Sequence, residues 1–203
     1  MKALLIIDVQ NDFCPGGALA VADGDAVVPV ANELIARFAS QELPIVATQD
    51  WHPTGHVSFA SAHPGHAIGE LLELPGGGAQ MLWPDHCVQD TPGAELHPDL
   101  DAARIAHVVH KGCDPARDSY SAFFDNDHVS ATGLDAWLRE RSVDELVVCG
   151  LACDYCVKYS VLDALVLGYA VSLPRTGTRA VDATPGDGER ALQEMAAKGA
   201  RIL

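Results

Sequence analysis

The chain has 203 residues, 48% of them hydrophobic, with 28 acidic against 13 basic side chains and a formal charge of −15. That length supports one substantial core and is short for two, so residues 1–203 are expected to form one domain, and the acidic balance opposes binding to nucleic acid or to an anionic membrane surface. The apolar run at 3–7 is too short for a signal-peptide core or a bilayer span, and six irregularly spaced cysteines match neither a disulfide framework nor a four-cysteine zinc site, which points to the reducing cytoplasm.

Residues 4–7 read as a buried strand that ends on Asp8 and gives way to turn formers at 10–17. Asp23 or Asp25 is expected to cap a helix running through Phe38, with Val27, Val30, Ala31, Leu34, Ile35 and Phe38 on its apolar face and Pro29 near the first turn. Residues 44–48 form a second strand that runs into Gln49-Asp50-Trp51-His52-Pro53-Thr54-Gly55-His56. From 58 to 98 no periodicity is strong; a helical turn is expected at 70–74, and Trp83-Pro84-Asp85-His86-Cys87-Val88 interrupts the connection. A connection this long that carries tryptophan and histidines is expected to be functional. A third strand at 105–110 is followed at once by Lys111, and a helix at 134–141 carries Trp137 and Leu138 inward. Then come a strand at 146–149, a helix at 157–167, a strand at 169–173, a last helix at 189–198 and a sixth strand at 201–203. Strands alternating with helices predict a three-layer α/β/α sandwich around a mostly parallel sheet of about six strands.

In an open parallel sheet, ligands bind beyond the carboxyl ends of the strands, where strand order reverses. Asp8, Asp50, His52, Lys111 and Cys156 all follow strand ends although they are scattered over the sequence. Cys156 lies in Gly150-Leu151-Ala152-Cys153-Asp154-Tyr155-Cys156-Val157-Lys158-Tyr159-Ser160, where a strand turns sharply into a helix. The helix end is expected to lower the thiol's pKa and to suit an oxyanion. Two other readings stay open at this point: a cysteine packed at the start of a core helix, and a redox pair, because Cys153 and Cys156 are spaced C-x-x-C.

Asp50 and His52 are two residues apart and can share one cation; His86 is the best distant candidate to join them, and His56, beyond a Pro-Thr-Gly turn, could reach the same ion or miss it. A carboxylate with imidazoles and no thiolate suits a functional zinc, iron(II) or manganese site, the alternative being a polar turn. A free thiol and a solvated aspartate differ by ~4.6 pKa units, so moving the proton from one to the other costs about 6 kcal/mol. Burial of Asp8 together with a cation near the sulfur would close most of that gap. The alternative for Asp8 and Lys111 is a buried ion pair without chemistry.

These residues resemble a known family. Ile7-Asp8-Val9-Gln10-Asn11-Asp12-Phe13, Asp50-Trp51-His52-Pro53, Trp83-Pro84-Asp85-His86-Cys87-Val88, His110-Lys111-Gly112, Asp118-Ser119-Tyr120-Ser121-Ala122-Phe123 and the stretch around Cys156 stand, in this order, over almost the whole chain. Together they resemble the nicotinamidases, also active on pyrazinamide, within the isochorismatase-like cysteine hydrolases. The resemblance implies a cysteine nucleophile, Cys156, with Asp8 as proton carrier and Lys111 holding the charge of the triad. It implies an oxyanion hole from the amides of Ala152 and Cys156, with a cis Leu151–Ala152 peptide. It further implies one divalent metal on Asp50, His52 and His86, zinc first with iron or manganese as alternatives, and a substrate ring held by Phe13, Trp83 and Tyr120. The substrate would be nicotinamide, hydrolysed to nicotinate and ammonia in NAD salvage; homo-oligomerisation stays open. Cys153 departs from the threonine common in relatives, and a reversible Cys153–Cys156 disulfide that silences the enzyme is expected under oxidation. A different small-amide hydrolase and a non-catalytic metal- or redox-binding protein are the competing readings.

Overall fold

The structure, a computed structural model, describes residues 1–73 and 78–203. Its layering follows from the alternation of apolar side chains along the central strands. In β1 (Lys2–Ile7), Leu4 and Ile6 enter one core while Ala3, Leu5 and Ile7 enter another. In β6 (Glu145–Leu151), Val147, Cys149 and Leu151 oppose Leu146 and Val148 in the same way. Strands that are apolar on both faces need two covers. One is α1 (Val27–Ala39), through Val27, Val28, Ala31, Leu34, Ile35 and Phe38. The other comprises α2 (Leu134–Glu140), α3 (Lys158–Val166) and α4 (Asp187–Ala197), through Leu134, Leu138, Val161, Ala164, Ala191, Leu192 and Met195.

The sheet is completed by β2 (Ile45–Asp50), β5 (His107–Lys111), β7 (Ala170–Leu173), β8 (Thr178–Arg179) and β9 (Arg201–Ile202). Its seven strands run β5-β2-β1-β6-β7-β9 with β8 beside β6, and every pairing is parallel. From β1 the chain builds outward to β2 and β5, then returns to build β6, β7 and β9 on the other side. Strand order therefore reverses between β1 and β6, where a ligand crevice is expected. At that seam the two strands press together: a Cβ on Gly150, whose φ is +124°, would lie 2.0 Å from the Ile7 carbonyl oxygen.

Several local expectations are corrected. Neither Asp23 nor Asp25 caps α1: Asp23 stands at φ +51° before a 3-10 turn at Gly24–Ala26, and no side chain caps either element. Val28, absent from the expected apolar face of α1, is buried there, and Val30 packs against the same core while partly exposed. At 71–73 the chain is not helical but forms β3 (Leu71–Glu73), paired antiparallel with β4 (Ala79–Met81); Leu74, the end of the expected turn, lies outside the described residues. β8 has no counterpart in the sequence reading. Trp137 is only half-buried, its ring stacked on His107 with centroids 4.9 Å apart. The helix expected from 157 is preceded by a π-turn, Cys153–Val157, so Cys156 lies inside the first turn rather than at its start. Among the described residues no helix is long and apolar enough to cross a membrane.

Candidate active site

Four neighbouring strands end at one edge of the sheet, and each delivers a reactive group. Asp8 follows β1 in the left-handed region, φ +47°, which turns it off the strand axis. Asp50 and Lys111 are the last residues of β2 and β5 and face each other in register. Cys156 arrives from the π-turn behind β6.

Lys111 joins them. Its side chain is fully buried, with Nζ 2.9 Å from Asp8 Oδ2, 3.3 Å from Cys156 Sγ and 2.9 Å from the Ser119 carbonyl oxygen, and it also donates to Asp50 Oδ1. Burial alone would strip a lysine of its proton. The Asp50 and Asp8 carboxylates outweigh that burial and hold the ammonium well above its usual range. Burial raises the Asp8 carboxyl despite Lys111. Its Oδ1 accepts the Thr48 hydroxyl at 2.5 Å, and its own N–H donates to Thr48 Oγ1 at 3.1 Å.

The expectation of a lowered thiol pKa is overturned. Burial pushes Cys156 well above the ordinary thiol range; Lys111 opposes this, and the Asp8 carboxylate beside the thiol favours the protonated form. Desolvation outweighs the ammonium and the helix end, and the thiol lies beside the buried Asp8 carboxyl. Cys153 and Cys156 are both free thiols with different partners. Cys153 Sγ lies 3.9 Å from the Gly188 carbonyl on α4, away from Lys111.

The metal-ligand candidates also converge. Asp50 Oδ2 lies 3.6 Å from His52 Nε2 and 3.8 Å from His86 Nε2. Each imidazole uses its other nitrogen on a carbonyl, His52 Nδ1 to Gly112 at 2.9 Å and His86 Nδ1 to Pro84 at 2.8 Å. A carbonyl only accepts, so each Nδ1 carries a proton and Nε2 is the nitrogen turned toward Asp50, the orientation of a metal-binding imidazole. Gly112 makes room for this: at φ +63°, a Cβ there would lie 2.4 Å from His52 Cε1. Two imidazoles and a carboxylate without a thiolate fit zinc or a neighbouring first-row divalent ion. His56, by contrast, has both nitrogens engaged, with Ser58 Oγ at 2.8 Å and the Arg117 carbonyl at 3.1 Å. It nonetheless groups with His52 and Asp118, their ligand atoms lying within 4.8 Å of one another.

Phe13, Trp83, Tyr120 and Ala152 line a cavity with Asp50, His52, His86 and Cys156, and Leu19, Asp118, Tyr155 and Val181 join them. Trp83 Nε1 donates to the Tyr120 hydroxyl at 3.1 Å, and the Tyr155 ring meets Trp83 edge-on at 4.9 Å. The cavity is aromatic on its walls and polar at its floor. The Leu151–Ala152 peptide is cis. Asp118 and Tyr155 stand within the recognised motifs and could have been read there, whereas Leu19 and Val181 carry no local signal.

The isochorismatase domain family matches residues 2–203. Escherichia coli nicotinamidase is 53% identical over 99% of this chain and 93% of its own length. Among solved structures, an Acinetobacter baumanii nicotinamidase and pyrazinamidase superposes with a TM-score of 0.94 at 42% identity, covering 100% of this chain and 95% of that one. The pyrazinamidase of Pyrococcus horikoshii, crystallised in complex with zinc, gives a TM-score of 0.81 at 39% identity, covering 100% of this chain and 98% of that one.

Proposed function

This chain belongs to the isochorismatase family, and we propose that it is a nicotinamidase, hydrolysing nicotinamide, and pyrazinamide with it, to the acid and ammonia. The observation that carries this reading is the Lys111 ammonium, in contact with Asp8, Cys156 and Asp50 at once. It welds a nucleophile and its proton carrier to the donor set that recognises the ring. The similarity to E. coli nicotinamidase supports the same substrate.

In the reaction, Cys156 attacks the amide carbonyl as its proton passes to Asp8, and a C–S bond forms. The oxyanion is received by the amides of Ala152 and Cys156, each donor being worth about 2.7–4 kcal/mol in the transition state. As the C–N bond breaks, Asp8 hands the proton to the departing nitrogen and ammonia leaves a thioester on Cys156. A water molecule, deprotonated by Asp8, attacks the thioester; nicotinate departs and the thiol regains its proton. Lys111 stays charged throughout and keeps Asp8 and the sulfur on one side of the substrate carbonyl. Phe13 and Trp83 sandwich the ring, and Tyr120 closes the wall. Asp50, His52 and His86 would hold a divalent ion, zinc first with iron or manganese as alternatives, whose chemistry here is to accept the pyridine nitrogen.

We read residues 1–203 as one hydrolase domain working in the cytosol on a small molecule, a setting that the six unpaired cysteines and the charge of −15 support. The test is ammonia release from nicotinamide by the purified protein, before and after chelation. Release that is lost on chelation and restored by zinc supports the reading; no ammonia from zinc-replete protein refutes it.

A further inference from the structure

Asp12 stands next to the ring-binding Phe13, in the 3-10 turn Asn11–Phe13, yet its carboxylate reaches across to the loop that carries His86. Asp12 Oδ2 accepts the Cys87 N–H at 2.7 Å, and Oδ1 accepts the Ala18 N–H at 3.1 Å. Gly93 packs directly against it: a Cβ there would lie 2.2 Å from Asp12 Oδ2. The Cys87 N–H belongs to the peptide unit that leaves His86, so Asp12 grips the backbone of one ligand candidate. The Cys87 carbonyl accepts the His52 N–H at 3.0 Å, so that grip extends to the second. Cys87 sits at φ +45°, a region that a non-glycine residue keeps only when its surroundings fix it. A charged acceptor is the stronger kind of partner for that purpose. The Phe13 and His86 rings, centroids 5.5 Å apart, lie on either side of this link.

We propose that Asp12 is a positioning residue for metal binding: through the Cys87 peptide it registers His86 and His52 against Asp50 and ties them to the loop that carries Phe13. This rests on the metal reading of Asp50, His52 and His86, not on the amidase reaction. Outer-shell partners of metal ligands typically cost about 10–100-fold in affinity when removed, and Asp12 acts one peptide further out than the Gly112 and Pro84 carbonyls.

The test is the zinc dissociation constant of metal-stripped protein, measured by competition with a chromophoric chelator, with folding followed by circular dichroism. Asp12→Ala is expected to weaken zinc about 10-fold or more while the fold persists. Asp12→Asn keeps an oxygen acceptor and is expected to stay within a few-fold of the parent. Asn11→Ala removes only the bond from Asn11 Nδ2 to the Pro92 carbonyl, 2.7 Å, in the same turn, and is expected to leave zinc affinity unchanged. If Asp12→Ala does not fold, Gly93→Ala displaces the carboxylate without removing it and is expected to weaken zinc likewise. Folded Asp12→Ala with parental zinc affinity overturns the proposal, as does equal weakening by Asn11→Ala. Parent protein that binds no zinc overturns it together with the metal reading; zinc binding without ammonia release refutes the amidase reading alone.

Discussion

A fully buried lysine among two carboxylates and a thiol is the least replaceable residue of the site. Lys111 cancels the charge that Asp8 and Asp50 bring to one point beside the Cys156 sulfur, and the backbone carbonyl of Ser119 uses its remaining donor capacity. Lys111→Met keeps the volume and removes the charge, leaving Asp8 and Asp50 buried without a cation. Such uncompensated burial typically costs about 3–5 kcal/mol, so urea unfolding is expected to show a loss of that size, with hydrolysis falling in parallel. Asp8, Lys111 and Cys156 were legible in the sequence because a polar residue closing an apolar run is conspicuous. Thr48, which both donates to and accepts from Asp8, was not, because a threonine inside a strand looks like any other β-branched residue. The direction of the Cys156 pKa shift is not legible in the sequence: helix ends and nearby lysines can be found there, but the depth at which the sulfur is sealed cannot.

At the scale of elements, the glycine behind β5 shows how a backbone position serves a side chain elsewhere. Gly112 turns the chain at φ +63°, offers its carbonyl to His52 Nδ1 and leaves open the space that the ring fills. Gly112→Ala drives a methyl group against His52 Cε1, and zinc affinity is expected to fall by about 10–100-fold in titration of metal-stripped protein, with the far-UV spectrum retained. Among the described residues, the major strands and the four α-helices are readable from runs and periodicity. β8 and the β3–β4 pair were not, because two or three residues without an apolar run give no periodic signal. The start of α1 was misread for a related reason. Asp23 has the chemistry of a cap, but at φ +51° it precedes a 3-10 turn, a backbone choice that composition does not encode.

Across the whole molecule, the reversal of strand order gathers Asp8, Asp50, Lys111 and Cys156 at one sheet edge, and the candidate metal ligands come from β2 and the long connection after it rather than from the side of β6. Binding a cation there ties that connection to the sheet. A ligand that binds only the folded state stabilises it by about 2.7 kcal/mol when present at a hundred times its dissociation constant. Zinc is therefore expected to raise the melting temperature of metal-stripped protein in differential scanning calorimetry, and His86→Ala is expected to abolish most of that shift.

The contact at Gly150 has a bearing on how such a site can change over generations. Ile7, whose carbonyl oxygen fills the space of the missing side chain, is the residue before Asp8, and Gly150 leads through Leu151 and Ala152 into the turn that bears Cys156. The spacing between Asp8 and Cys156 is thus tied to the close approach of two backbones, which leaves no room for a side chain at position 150. New substrates are open to this scaffold through Leu19, Tyr155 and Val181 on the cavity wall. Position 150 has no room for a side chain, so the seam between β1 and β6 stays backbone against backbone while the cavity walls offer positions where side chains can differ.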